Sequence, residues 1–173
     1  MGRTGVMYEN RETAGSPWTF LTRGEGETRE LASRLARLLR PGDVILLVGE
    51  LGSGKTTFVK GLAEGLGVRE RVISPTFTLH REYQGRLPLH HLDAYRLRGA
   101  RDLSELGVEE LLEGEGVVAV EWGERARELF GHEYLEVNLS YGGEDNERVI
   151  RLFPGGGTWM ERLGALGEDA HGG

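Results

Sequence analysis

Val44-Ile45-Leu46-Leu47-Val48-Gly49-Glu50-Leu51-Gly52-Ser53-Gly54-Lys55-Thr56-Thr57-Phe58 changes character twice. The first five residues are an unbroken apolar run, bounded by Pro41-Gly42-Asp43 before it and Gly49 after it. A strand buried on both faces reads this way. A glycine-rich loop follows, and then Phe58, Val59, Leu62, Ala63 and Leu66 recur at helical spacing up to Gly67. Gly49, Gly54, Lys55 and Thr56 meet the pattern G-x-x-x-x-G-K-[ST]. Glycines let successive backbone N–H groups turn inward around a phosphate, and the helix adds the partial positive charge of its N-terminus. Lys55 would reach the outer phosphates, and the Thr56 hydroxyl could ligate Mg²⁺. Strand, loop and helix stand in the order this chemistry requires, so the stretch reads as the phosphate loop of a nucleoside-triphosphate site.

Outward from the loop, the chain reads as one α/β domain. Upstream, Trp18-Thr19-Phe20-Leu21 suits a short strand, and Leu31, Leu35, Leu38 and Leu39 place a helix over about 28–39. Downstream, residues 78–83 and 87–92 read as a hairpin across Gln84-Gly85-Arg86. Pro88 either makes the return strand an edge or delays its start. A helix over 103–112 is interrupted near Gly107. Val117-Val118-Ala119-Val120 is a second buried strand, ending on Glu121-Trp122. A short helix over 123–130 and a closing hairpin, 134–141 with 148–153, complete the domain. The expected architecture is a single P-loop NTPase domain over 18–153, with a mostly parallel central sheet flanked by helices and β-hairpin additions. Residues 1–17 are expected to be a disordered lead-in. Residues 154–173, rich in Gly with one apolar patch around Trp159, Met160 and Leu163, are expected to be a loose tail.

Composition excludes several classes of function. The 173-residue chain carries a net charge of −7, whereas a protein holding tRNA or duplex alone shows a basic surplus. It contains no Cys, so disulfides, thiolate zinc sites and cysteine nucleophiles are out. No apolar run approaches a membrane span, and the polar N-terminus lacks the apolar core of a signal peptide. The expectation is a cytoplasmic protein. Only two lysines occur, Lys55 and Lys60, so no N-K-x-D guanine-reading segment is present, and the triphosphate is expected to be ATP.

A phosphate loop with Mg²⁺ needs a further acid, usually at the end of a neighbouring strand. Glu121 closes the run 117–120 and Asp93 closes 87–92, so either could reach the carboxyl edge of the sheet, where α/β ligands bind. Glu50 is expected to face solvent. His90 and His91 are adjacent, would face opposite sides of a strand, and do not form a metal pair. Ser74-Pro75-Thr76-Phe77 reads as a switch segment or a plain turn. Arg96, Arg98 and Arg101 form a basic cluster that could clamp phosphates, meet a partner or be a solvated face. The alternative function is a P-loop small-molecule kinase, in which that cluster would serve as a lid.

These residues carry a resemblance. The phosphate loop, Ser74-Pro75-Thr76-Phe77-Thr78-Leu79, His91-Leu92-Asp93-Ala94-Tyr95-Arg96-Leu97, Glu105-Leu106-Gly107 and Val120-Glu121-Trp122 occur in the order seen in the TsaE (formerly YjeE) family, which the chain resembles over roughly 24–153. The resemblance implies an ATPase of tRNA threonylcarbamoyladenosine (t6A) biosynthesis that works with TsaD and TsaB and meets tRNA only through their complex. It implies that Gly52, Ser53, Gly54, Lys55, Thr56 and Thr57 cradle the phosphates and that Thr56 and Glu121 hold Mg²⁺. Asp93 would lie near the γ-phosphate, and Lys55, Asp93 and Glu121 would be the catalytic group. Thr76 would belong to a nucleotide-sensing switch, Trp122 would sit beside the nucleotide, and residues 25–28 and Arg148 would border it.

Overall fold

The computed structural model describes residues 7–10, 18–76, 78–98, 100–131, 133–156 and 158–172. Phe77 and most of 1–17 lie outside the described residues. The run 44–48 forms strand β3 (Val44–Val48), with Ile45, Leu46 and Leu47 fully buried. Burial of such side chains contributes about 1.5–3 kcal/mol each, so this strand anchors the sheet. Before it come β1 (Met7–Asn10), β2 (Trp18–Thr22) and helix α1 (Glu25–Ala36). The phosphate loop leads into α2 (Lys55–Gly65). There follow β4 (His80–Tyr83), β5 (Leu89–Asp93), α3 (Ala100–Glu105), α4 (Val108–Glu113) and β6 (Val117–Glu121). A 3₁₀ turn (Gly123–Arg125) precedes α5 (Arg127–Phe130), β7 (Leu135–Tyr141), β8 (Arg148–Pro154) and α6 (Trp159–Gly172).

Among the described residues the strands form one eight-stranded sheet in the order β1-β2-β8-β7-β3-β6-β5-β4. Its centre, β7-β3-β6-β5, is parallel, and antiparallel additions extend both edges. The parallel centre flanked by hairpins is therefore as expected. Side chains alternate between two cores. Ile45, Leu47, Leu89, Val117 and Ala119 pack on one face with α1, α2 and α6. Val44, Leu46, Leu92, Val118 and Val120 pack on the other with Leu103, Val108, Ala126 and Phe130. Pro88 sits just ahead of β5, where its missing N–H costs no ladder bond. Within this hairpin the edge strand is β4, not β5.

Helix boundaries follow local chemistry. α1 begins at Glu25, three residues earlier than the apolar spacing suggests. Glu25 and Glu27 occupy its first turn, and Glu27 Oε1 accepts a bond from the Arg23 N–H at 2.5 Å. Gly107, at φ 81°, breaks 103–112 into α3 and α4.

Both ends of the chain correct the sequence reading. Met7–Asn10 pairs with β2 and extends the sheet; the rest of the lead-in lies outside the described residues. The expected loose tail instead forms α6, whose Trp159, Leu163 and Leu166 enter the core. Arg162 locks this helix down. Its guanidinium donates to both carboxylate oxygens of Asp43 (2.6 and 3.0 Å) and to the Leu38 carbonyl (3.0 Å), and lies 3.8 Å over the Trp159 ring. Glycines lower helix propensity here, and tertiary packing overrides them.

α1 and α2 meet through small residues. A Cβ at Gly61 would run into the Arg29 carbonyl oxygen and come within 2.6 Å of Ala32 Cβ; one at Gly65 would come within 2.5 Å of the Ser33 carbonyl oxygen. Gly61→Ala gains up to about 1 kcal/mol in helix propensity but overpacks against backbone, at about 1–3 kcal/mol. The expected outcome is a Tm lowered by roughly 2–6 °C; an unchanged or raised Tm in thermal unfolding would show that the helices can move apart without cost.

Candidate functional site

The parallel strands β3, β5 and β6 all end on one edge of the sheet, and the phosphate loop leaves β3 there. Gly54, at φ 105°, is the N-cap of α2, and no side chain caps that terminus. Gly52 is also left-handed, at φ 80°. Gly49 is confined differently, since a Cβ there would lie 2.5 Å from both the Leu139 carbonyl oxygen and Ser53 Oγ. Ser53 is fully buried, with its hydroxyl unpartnered among the described residues.

Lys55 is 5% exposed. Its ammonium donates to the carbonyls of Gly49 (2.5 Å) and Glu50 (3.0 Å) and lies 3.8 Å from the centroid of the Trp122 ring. Burial lowers its pKa from the ordinary lysine value, and the charges of Glu121, Glu124 and Asp93 oppose that shift. Trp122 adopts φ 58°, in the left-handed region. Such a conformation costs a non-glycine residue about 1–3 kcal/mol; here it turns the ring under Lys55 and against Tyr95, 4.9 Å between centroids.

Thr56 donates to Glu121, at 3.0 Å to Oε1 and 2.8 Å to Oε2. Asp93 pairs with Glu121 in the β5–β6 register. Its Oδ2 accepts from Thr76 Oγ1 (3.2 Å) and its Oδ1 from the Tyr95 N–H (2.8 Å), while Ser74 and Thr76 share a 2.8 Å bond. The structure thus gathers Lys55, Thr56, Thr76, Asp93, Glu121 and Trp122 at one edge. Glu50 is exposed, as expected. Arg98 and Arg101 are exposed, and Arg101 lies 3.8 Å from Glu105 one turn along α3.

Two features were not foreseen. The first is His91, fully buried, whose Nε2 lies 2.6 Å from Glu121 Oε2. His90 points to the opposite face and meets His80 at 3.2 Å, so the alternation was legible, but the Glu121 contact depends on the β5–β6 register. The second is a clamp from the β7–β8 hairpin. Arg148 donates to the carbonyls of Ser53 (3.1 Å) and Gly52 (3.3 Å), Tyr141 donates to the Leu51 carbonyl (2.6 Å), and the guanidinium stacks on the Tyr141 ring at 4.6 Å. Arg148, Asn146, Thr57, Gly24, Glu25 and Thr28 line a cleft beside Gly52 and Gly54.

These groups fit a nucleotide. An uncapped helix N-terminus and a lysine whose hydrogen bonds run to carbonyls offer themselves to phosphate. Near Thr56 the protein donors are few, and Mg²⁺ binds in that way, through one or two side-chain oxygens, phosphates and water. Among the described residues no group of three His, Asp or Glu forms a metal cage.

A parallel strand emptying into this loop at the head of a helix, with acids on the neighbouring strand ends, defines a P-loop NTPase domain. The family model "Threonylcarbamoyl adenosine biosynthesis protein TsaE" matches residues 22–150, and the chain belongs to that family. Its relatives include the tRNA threonylcarbamoyladenosine biosynthesis protein TsaE of Bacillus subtilis, 44% identical over 124 residues (71% of this chain, 77% of the relative). The protein of the same name from Treponema pallidum is 40% identical over 129 residues (75% and 96%). The crystal structure of Bacillus subtilis YdiB superposes with a TM-score of 0.77 at 35% identity, covering 94% of this chain and 97% of that one.

The clamp yields a prediction. Tyr141→Phe removes one hydrogen bond to the loop, a net effect of about 0.5–1.5 kcal/mol. The expected outcome is about 3–10-fold weaker ADP binding in equilibrium titration; unchanged affinity would mean that the loop holds its shape without the hairpin.

Proposed function

We propose that this chain is the ATP-binding and ATP-hydrolysing component of a t6A-forming tRNA modification machinery, acting in the cytoplasm with TsaD and TsaB and meeting tRNA through their complex. The observation that carries the chemistry is the convergence of Lys55, Thr56 and Glu121 where β3 and β6 end. The names of the relatives support the pathway. None of the described helices is long and apolar enough to cross a membrane.

Gly52, Ser53, Gly54, Lys55, Thr56 and Thr57 receive the phosphates, with Lys55 leaving its carbonyls for the outer ones. Thr56 and Glu121 would hold Mg²⁺, which when bound would supply positive charge against the phosphates. Asp93, fixed by Thr76 and the Tyr95 N–H, orders water near the γ-phosphate for direct attack. Thr76 reports the γ-phosphate through that same bond. Trp122 lies beside the nucleotide, and Arg148 borders it from the loop's other side.

The test is ATP hydrolysis by the chain alone and with TsaD and TsaB. The expected outcome is slow turnover that the partners accelerate; rapid transfer of the γ-phosphate to a metabolite would instead establish a kinase. Lys55→Ala is expected to lower nucleotide affinity or turnover by about 30-fold or more, the scale for removing one member of a buried charge pair. Glu121→Ala is expected to reduce Mg²⁺-dependent turnover well beyond the exposed control Glu128→Ala. Equal effects of the two would remove Glu121 from the metal site.

A further inference from the structure

His91 stands in β5 where packing alone asks for an apolar residue. Its neighbour on the same face, Leu89, belongs to the core, and Ala119 lies directly opposite it on β6. The imidazole is fully buried, and its Nδ1 has no hydrogen-bond partner among the described residues. A buried polar ring is costly unless it bonds well. The polar contact it makes is the 2.6 Å bond to Glu121 Oε2.

The geometry explains the reach. In the parallel β5–β6 ladder, Glu121 is opposite Asp93, so His91 lies diagonally behind it. The small Ala119 leaves room for the ring to lean forward along the sheet. Glu121 is itself 4% exposed and is otherwise held by Thr56 across 65 residues of chain. A carboxylate with one long flexible stem and a single hydroxyl partner can rotate. His91 at 2.6 Å and the shorter Thr56 contact at 2.8 Å both fall on Oε2, which leaves Oε1, 3.0 Å from the Thr56 hydroxyl, as the less committed oxygen.

We propose that His91 is a positioning residue for the cation site: its Nε2–H pins Glu121 Oε2 so that Oε1 and the Thr56 hydroxyl are presented together to the nucleotide-bound divalent cation. The inference rests on the nucleotide and Mg²⁺ reading above. His91 does not bind the cation, because Nε2 is committed to Glu121 and Nδ1 is buried beneath the sheet face. Hydrogen bonds to a ligating side chain of this kind typically alter metal affinity by about 10–100-fold.

The test uses the full chain and equilibrium binding, not turnover. A fluorescent ADP analogue is titrated in EDTA, and Mg²⁺ is then titrated against the ADP-loaded protein. His91→Met matches the length of the ring without a donor, and His91→Gln restores an N–H. The expected result is a Mg²⁺ affinity at least about 10-fold weaker in His91→Met, ADP affinity in EDTA close to wild type, and recovery of most of the loss in His91→Gln. Combining His91→Met with Glu121→Ala should weaken Mg²⁺ binding no further than Glu121→Ala alone. Wild-type Mg²⁺ affinity in His91→Met overturns the proposal. So does an equal loss in EDTA, or an equal defect in His91→Gln, since either marks a packing role. If the wild-type chain itself binds no nucleotide, the P-loop reading fails first and takes the His91 role with it.

Discussion

A lysine ammonium almost entirely removed from water, at the head of a helix, is the interaction around which this structure is arranged. Its direct hydrogen bonds run to the Gly49 and Glu50 carbonyls, and its face-on contact is with an indole. Those contacts satisfy the group without neutralising it. Glu121, Glu124 and Asp93 stabilise the charge from a distance, against the desolvation that weakens it. The helix terminus behind it adds positive potential. The ammonium and the helix terminus suit a polyphosphate, and the carboxylates beside them suit the divalent cation that accompanies one.

Everything nearby serves to keep that edge in shape. β3, buried on both faces, fixes where the loop begins. α1 and α2 pack closely through Gly61 and Gly65, which sets the direction of the α2 N-terminus. Arg148 and Tyr141 hold loop carbonyls from the β7–β8 hairpin, so donors on one side oppose the N–H groups on the other. The strained Trp122 backbone places its ring under Lys55 directly after β6 has delivered Glu121. Thr56, Glu121 and His91 then form a continuous bonded line from the helix to the second strand beyond β3.

Much of this was legible in the chain. The runs 44–48 and 117–120 are too apolar and too short to be anything but interior strands, and the acids that end β5 and β6 follow from where those runs stop. Gly107 and Pro88 mark boundaries by their backbone chemistry. What could not be read depends on partners distant in sequence. The His91–Glu121 bond needs the strand register, and the Arg148 clamp joins positions 95 and 96 residues apart. α6 was hidden because its glycines argue against a helix locally, while the Asp43–Arg162 pair and the slot for Trp159 exist only in the folded domain. Likewise, β1 takes its place only by pairing with β2.

The most direct measurement is a crystal structure of the chain with Mg²⁺ and a non-hydrolysable ATP analogue. The expected result is the triphosphate seated in residues 49–57, with the Lys55 ammonium moved from the Gly49 and Glu50 carbonyls onto phosphate oxygen and the cation beside Thr56 and Glu121. Nucleotide bound elsewhere, or Lys55 still on its carbonyls with the triphosphate present, would contradict it.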